Sequence, residues 1–182
     1  MGPLDPEALE ARASGVRLLI LDVDGVLTDG GIVLDDSGRE YKRFHVRDGH
    51  GIKLLQQQGI SVAIVTGRRS AVVEHRAWEL GIREVHQGAV QKGPALEEVL
   101  EACGVAPAEA AMIGDDVVDL PILSRTGLAV AVADAHPAVR ERAHWVTAAG
   151  GGRGAVREVA DRILRARGLE EKVLSAYLEP EP

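Results

Sequence analysis

Short apolar runs alternating with helical stretches over 182 residues predict an α/β fold, a doubly wound parallel sheet. Two further observations support this. The runs are apolar throughout, as in Leu18-Leu19-Ile20-Leu21, the pattern of strands covered on both faces. Most then break into glycine and polar residues, and the carboxyl rim of such a sheet is where ligands bind.

The segment Met1 to Ser14 mixes acids, arginines and alanines without an apolar core, and it lacks a signal-peptide pattern. The first strand, Leu18 to Leu21, runs into Asp22-Val23-Asp24-Gly25. Gly30 to Val46 reads as a β-hairpin: Ile32-Val33-Leu34, a turn at Asp35-Asp36-Ser37-Gly38, and a return from Tyr41 to Val46. An isolated hairpin is marginal in water, so this one is expected to pack against a surface such as its own copy in a neighbouring subunit. Asp48-Gly49-His50-Gly51 introduces a helix through Gln58 that Gly59 stops. A second buried strand, Ser61 to Val65, ends in Thr66-Gly67-Arg68-Arg69-Ser70, with Ser70 placed to cap a helix from Ala71 to Leu80. A short strand near Glu84 to His86 follows, and Lys92-Gly93-Pro94 opens the next helix with proline in its first turn. Ala110 to Ile113 is a strand ending in Gly114-Asp115-Asp116-Val117-Val118-Asp119, from which a helix is expected to about Arg125. Leu128 to Val132 is a fifth strand, His136-Pro137 starts a short helix, and Trp145 to Thr147 is a last strand. Gly150-Gly151-Gly152-Arg153-Gly154 leads into a final helix to about Arg167, and Leu169 to Pro182 is expected to be a loosely ordered tail. One domain over 1–182 is the expectation, with the hairpin at about 30–46 and the tail at about 169–182.

Composition excludes several functions. A net charge of −7 and only 3% aromatic residues argue against nucleic-acid binding. No run approaches the length of a membrane span, so no membrane partner is expected. The lone Cys103 rules out an intrachain disulfide and fits a reducing, cytoplasmic setting; its simplest reading is a small buried hydrophobe. His50, His75, His86, His136 and His144 lack metal-ligand spacing.

Chemistry gathers at the strand ends. Asp22 and Asp24, Thr66, the Lys92 loop, and Asp115, Asp116 and Asp119 are spread over about a hundred positions, yet a parallel sheet brings such ends to one rim. Two acids about 4 Å apart repel by about 4 kcal/mol at an effective dielectric near 20, so a cation or shared proton is required. Phosphoryl transfer suits the set. A carboxylate can be the nucleophile, a second can donate and accept the proton, and lysine and threonine can hold phosphate oxygens. Mg²⁺ prefers carboxylates plus phosphate oxygens.

In this order the residues resemble the haloacid dehalogenase superfamily, on Asp22-Val23-Asp24-Gly25-Val26, Thr66, Lys92 and Gly114-Asp115-Asp116-x-x-Asp119. Four longer stretches resemble its 3-deoxy-D-manno-octulosonate 8-phosphate (KDO 8-phosphate) phosphatase family: Phe44 to Gly51, Thr66-Gly67-Arg68, Val130 to Pro137 and Gly151 to Glu158. The likeness runs from about Val16 to Gly168. It implies a Rossmann-like fold without a cap domain, carrying a hairpin insertion after the first strand. It also implies Asp22 as nucleophile and Mg²⁺ ligand, and Asp24 as general acid and base with its carbonyl on the metal. Asp115 would be a further ligand supported by Asp116 and Asp119, with Thr66 and Lys92 on the phosphoryl group. The sugar-acid contacts would be Asp24, His45, Val46, Arg47, Asp48, Gly49, Lys53, Arg68, Arg76 and Lys92. His45 stands where the family commonly has Asn, and Lys53 where it commonly has Arg. The implied partner is a phosphorylated keto-sugar acid on the route to lipopolysaccharide. A homotetramer joined through the hairpins would cover the open rim, and the tail from Leu169 would approach a neighbouring site.

Competing readings are weaker. An EF-hand would need Glu at the twelfth position from Asp22, which is Val33. The segment Gly150-x-Gly152-x-x-Ala155 mimics a dinucleotide fingerprint, but too little chain follows for a βαβ unit. A signalling receiver domain places its acidic pair on the first strand and its phosphoacceptor on the third, the wrong order here. A silent regulatory domain would not need both catalytic aspartates. Among phosphatases, the alternative substrate is a nine-carbon keto-sugar acid phosphate.

Overall fold

The computed structural model describes residues 1–178. Six strands form one parallel sheet: β1 (Leu18–Leu21), β4 (Ser61–Thr66), β5 (Glu84–Gln87), β6 (Ala110–Gly114), β7 (Leu128–Ala131) and β8 (Trp145–Val146). Their order is β5-β4-β1-β6-β7-β8. The chain builds outward from β1 on one side through β4 and on the other through β6. The crevice at this reversal lies at the carboxyl end of β1, where Asp22 emerges. All four β1 residues are fully buried, as a run apolar on both faces requires.

Between β1 and β4 lie a separate two-stranded sheet, β2 (Val33–Leu34) with β3 (Glu40–Tyr41), and helix α2 (Val46–Gln57). The hairpin turn forms as expected: the Asp35 carboxylate accepts from the amides of Ser37 and Arg39 at 2.9 and 2.8 Å. Its return strand is shorter than the sequence suggests: only Glu40 and Tyr41 pair, with Leu34 and Val33, and Lys42 then turns to pair with Asp24. Helices α3 (Ala71–Leu80) and α4 (Lys92–Cys103) follow β4 and β5, and each ends at a left-handed glycine, Gly81 or Gly104. Among the described residues, neither interval beside β4 contains a cap domain.

Other elements differ from the sequence expectation or go beyond it. The helix expected from Val117 to Arg125 is a 3₁₀ turn at Val117–Asp119 continued by the short α5 (Leu120–Leu123). The amino terminus forms α1 (Pro6–Ser14), where the Asp5 carboxylate accepts from the Ala8 amide at 2.8 Å and Leu9 and Ala13 reach the core. The expected loose tail contains α8 (Glu170–Leu178), which buries Val173; the remaining tail residues, 179–182, lie outside the described part. After α6 (Pro137–Arg140), α7 (Ala155–Ala166) turns Val156, Val159, Ala160, Ile163 and Leu164 to the core at helical spacing.

Helix α7 begins at Gly154 with no side chain of its own to cap it. Asp48 supplies the cap from α2. Its carboxylate, 1% exposed, accepts from the amides of Arg157 at 2.8 Å and Gly154 at 3.3 Å. Helix α2 also lies close on α7 because Gly51 has no Cβ to meet Ala160. Asp48→Ala is therefore expected to lower unfolding free energy by about 1–2 kcal/mol, read from the urea midpoint, with Asp48→Asn losing less. An unchanged midpoint would contradict the capping role.

Candidate active site

Loops after β1, β4 and β6, with the start of α4, surround a cavity of about 410 Å³ at the switch point, lined among others by Asp22, Asp24, Thr66, Arg68, Lys92, Asp115 and Asp116. A cleft of about 460 Å³ runs along β5 by Arg69 and His86, and one of about 610 Å³ lies by Ser61 and Cys103 at the opposite ends of the strands. Neither collects the acids and cations found at the switch point.

Asp22, 6% exposed, follows β1 directly. Its Oδ1 is buried and 3.1 Å from Lys92 Nζ, yet it makes no hydrogen bond. Lys92 opens α4 and is buried, an unfavourable place for a cation near a helix N-terminus. The acids compensate, since Lys92 Nζ also donates to Asp119 Oδ1 at 2.6 Å. Burial alone would depress this ammonium, but the Asp22 and Asp119 charges hold it above its usual range. The other Asp119 oxygen accepts from the amides of Asp115 at 2.9 Å and Asp116 at 3.3 Å, which fixes the loop carrying Asp115. Thr66, the last residue of β4, is buried at the cavity wall.

Carboxylate oxygens of Asp22, Asp115 and Asp119 lie within 4.8 Å of one another, the one cluster of metal-ligand type among the described residues. Burial first, and then the Asp119 charge, push Asp22 up to about 6. Burial and the charges of Asp119, Asp22 and Asp116 push Asp115 up to about 7. Carboxyl groups raised by burial and by one another's charge, with one buried oxygen making no hydrogen bond, suit a divalent cation. Asp116 lines the cavity, but its carboxylate accepts from the Val117 amide at 2.7 Å and caps the 3₁₀ turn.

The loops are closely fitted. Gly25, at φ +88, bends the chain after Asp24, and a Cβ there would collide with the Asp115 carboxylate. Gly151 and Gly152 press against the backbone of Gly25 and Thr28, and Gly152 N–H donates to Val26 at 2.9 Å. Asp134 holds Gly151 N–H at 2.9 Å, while His136 N–H donates to the Asp115 carbonyl at 2.7 Å. The Val130–Pro137 and Gly151–Glu158 stretches thus support the loops that carry the acids.

The expected sugar contacts divide. Asp24, Arg68 and Lys92 line the cavity, whereas His45, Val46, Arg47, Asp48, Gly49, Lys53 and Arg76 do not. The Asp48 carboxylate is occupied by α7. Lys53 Nζ donates to the Glu79 carbonyl at 3.0 Å, and Arg76 pairs with Glu79 at 2.7 Å and lies 5.6 Å over the Phe44 ring. His45 and Phe44 line a shallow hollow of about 300 Å³ with Arg43 and Arg153. Burial raises the Cys103 thiol, in keeping with a structural role.

Sequence reading missed three residues at the rim. Lys42 pairs with Asp24, while Glu40 accepts from Arg68 Nη2 at 2.7 Å and from the Ser70 hydroxyl. Ser70 therefore makes no side-chain cap for α3. Polar residues two apart around Tyr41 were the available signal, since alternate strand positions share a face.

Among the described residues, no helix is long and apolar enough to cross a membrane. The model of the haloacid dehalogenase-like hydrolase family matches residues 81–156. The 3-deoxy-D-manno-octulosonate 8-phosphate phosphatase KdsC of Escherichia coli K12 is 49% identical over 167 residues, 92% of this chain and 88% of the relative. A crystal structure of the Yersinia pestis phosphatase of the same name has a TM-score of 0.90 at 49% identity, covering 91% of this chain and 89% of that one. The Moraxella catarrhalis phosphatase, solved with magnesium ion, phosphate ion and KDO, gives a TM-score of 0.93 at 37% identity, covering 95% and 99%. With that sequence identity over 92% of its length, and with its strand-end acids gathered at one rim, the chain belongs to the 3-deoxy-D-manno-octulosonate 8-phosphate phosphatase family of haloacid dehalogenase-like hydrolases.

Proposed function

We propose that this chain, acting as one domain, is a Mg²⁺-dependent phosphatase that hydrolyses KDO 8-phosphate to KDO and inorganic phosphate in the supply of lipopolysaccharide precursors. The observation that carries the reading is the buried Asp22 oxygen, which makes no hydrogen bond and stands between the Lys92 ammonium at 3.1 Å and two further carboxylates at the switch-point cavity. The 49% identity to KdsC and the KDO bound in the Moraxella relative support the substrate. The magnesium of that relative, together with the acid cluster, supports the metal.

Asp22 attacks phosphorus, and the bond to the sugar oxygen breaks as Asp24 gives that oxygen its proton. Asp24, now ionised, takes a proton from water; the water oxygen attacks the aspartyl-phosphate phosphorus, freeing phosphate and restoring Asp22. Lys92 and Thr66 hold the phosphoryl oxygens, and Lys92 neutralises part of their charge. Asp22, the Asp24 carbonyl and Asp115 would hold Mg²⁺, with Asp116 and Asp119 fixing the loop. When bound, the ion polarises the phosphoryl group and offsets the crowded acids. Arg68 offers its planar fork to the sugar carboxylate.

The remaining sugar contacts, His45, Val46, Arg47, Asp48, Gly49, Lys53 and Arg76, do not line this chain's cavity, so they are assigned to a site completed between copies. Asp48 takes part through its backbone. The assembly is a cytoplasmic homotetramer joined at the hairpin, whose Ile32, Val33, Leu34 and Tyr41 are all exposed in one chain. The tail from Leu169 approaches a neighbouring site. A monomer in sedimentation at micromolar concentration would contradict this assembly.

Phosphate release across a panel of sugar phosphates, with and without Mg²⁺, tests the function. KDO 8-phosphate is expected to exceed hexose phosphates and a nine-carbon keto-sugar acid phosphate by at least about tenfold in kcat/KM. A hexose phosphate turned over as well would defeat the substrate assignment, and turnover unaffected by chelation would defeat the metal. A pH dependence also follows. In the metal-free protein, Asp22 and Asp115 keep protons to about 6 and about 7 that the unfolded chain releases from near the ordinary 3.8. Metal-free stability therefore falls as pH rises through that window. Mg²⁺ requires the ionised carboxylates, so the rise in Tm that it produces should be larger at pH 8 than at pH 5. An equal or smaller rise at pH 8 would contradict the assigned ligands.

A further inference from the structure

The hairpin enters the site as well as the assembly. Glu40 in β3 and Lys42 just beyond it reach the same rim, while Tyr41 between them is exposed. The Lys42 side chain is only 1% exposed, and its ammonium is ion-paired with Asp24 Oδ1 and 3.3 Å from Glu40 Oε1. Glu40 accepts from Arg68 Nη2 at 2.7 Å, and Arg68 Nη1 stands 3.9 Å from Asp24 Oδ2. Two acids and two cations thus close a ring, with the Ser70 hydroxyl donating to Glu40. A buried ammonium requires such compensation, and the ring provides it.

The ring treats the two Asp24 oxygens differently. Asp24 lines the cavity; its Oδ1 is held by Lys42, whereas its Oδ2 is beyond hydrogen-bond reach of Arg68 and so is the oxygen left without a hydrogen bond to either cation. We propose that Lys42 is a positioning residue for the proton transfer: it clamps Asp24 by Oδ1, so that Oδ2 is the oxygen presented to the departing alkoxide and then to water. This rests on the assignment of Asp24 as general acid and base given above. An unclamped aspartate samples other rotamers, and a displacement of about 1 Å at a reacting group costs on the order of 10²-fold in rate. Glu40 holds both Lys42 and Arg68, so the hairpin sets the proton donor and the expected carboxylate fork together.

Leaving-group dependence separates positioning from mere structural support. An alkoxide needs a proton to depart, and p-nitrophenolate does not. The value of kcat/KM reports steps through release of the alcohol. Lys42→Met is expected to lower it about 10–100-fold for KDO 8-phosphate, mainly through kcat. For p-nitrophenyl phosphate the loss should stay below about threefold. Lys42→Arg, which keeps the cation, should recover most of the loss on the sugar phosphate. An equal loss on both esters, no loss on either, or failure of arginine to rescue would overturn the proposal. If Lys42→Met does not fold, Lys42→Gln carries the same comparison. Asp22→Asn serves as the reference: if it still turns over either ester, the nucleophile assignment itself falls, whereas its inactivity beside an equal loss in Lys42→Met removes only the role of Lys42.

Discussion

Repulsion among buried carboxylates is the constraint on which this site depends. Asp22, Asp115 and Asp119 bring oxygens within 4.8 Å of one another, Asp22 and Asp119 buried and Asp115 half-buried. At an effective dielectric near 20, each such pair costs about 4 kcal/mol near 4 Å separation. Lys92 offsets part of it, bonded to Asp119 and close to Asp22. Burial first, and then the remaining repulsion, push Asp22 and Asp115 well above ordinary carboxylates. A fold retains such tension where a cation and a phosphoryl group relieve it. The surrounding glycines follow from the same demand, since a Cβ at Gly114 would stand 2.6 Å from that of Asp119.

Rigidity around the acids comes from the far end of the chain. The Gly151-Gly152 turn braces the Asp24–Thr28 loop, Asp134 holds that turn, and Asp48 ties α2 to the start of α7. The sheet supplies direction, because β1 lies between β4 and β6 and their carboxyl ends share one rim. Without a cap domain, the nearest covering element is the hairpin, which touches the rim through Lys42 and Glu40 and exposes its apolar residues. In the proposed function, catalysis and assembly would meet in this one small element, and the proposed sugar contacts around α2 and α3, which lie away from this chain's own cavity, would be completed by a second copy.

Much of this was legible in the sequence. Leu18 to Leu21 announces a doubly covered strand because nothing polar interrupts it, and glycines 59 and 81 stop helices where left-handed backbone is needed. Asp22, Asp24, Thr66, Lys92 and Asp115 could be placed at one rim because strand ends in a parallel sheet converge. Other features depend on contacts between distant segments. The capping role of the Asp48 carboxylate is invisible until α7 is seen to take it, and Ser70 reads as a cap until Glu40 is seen to take its hydroxyl. Glu40 and Lys42 flank Tyr41 and so share a face, but that alternation alone does not distinguish a face turned to the acids from a solvated one. Helices α1 and α8 were missed because each turns only one or two residues to the core, leaving little apolar periodicity to read.

The central claim is that Asp22 captures phosphorus covalently, and trapping the intermediate tests it most directly. The enzyme would be quenched during turnover of KDO 8-phosphate with Mg²⁺, reduced with borohydride and mapped by peptide mass spectrometry. An aspartyl phosphate is reduced to homoserine, so the account predicts homoserine at position 22 and at no other aspartate, dependent on substrate. Reduction at another aspartate, or none at position 22 under steady turnover, would contradict it.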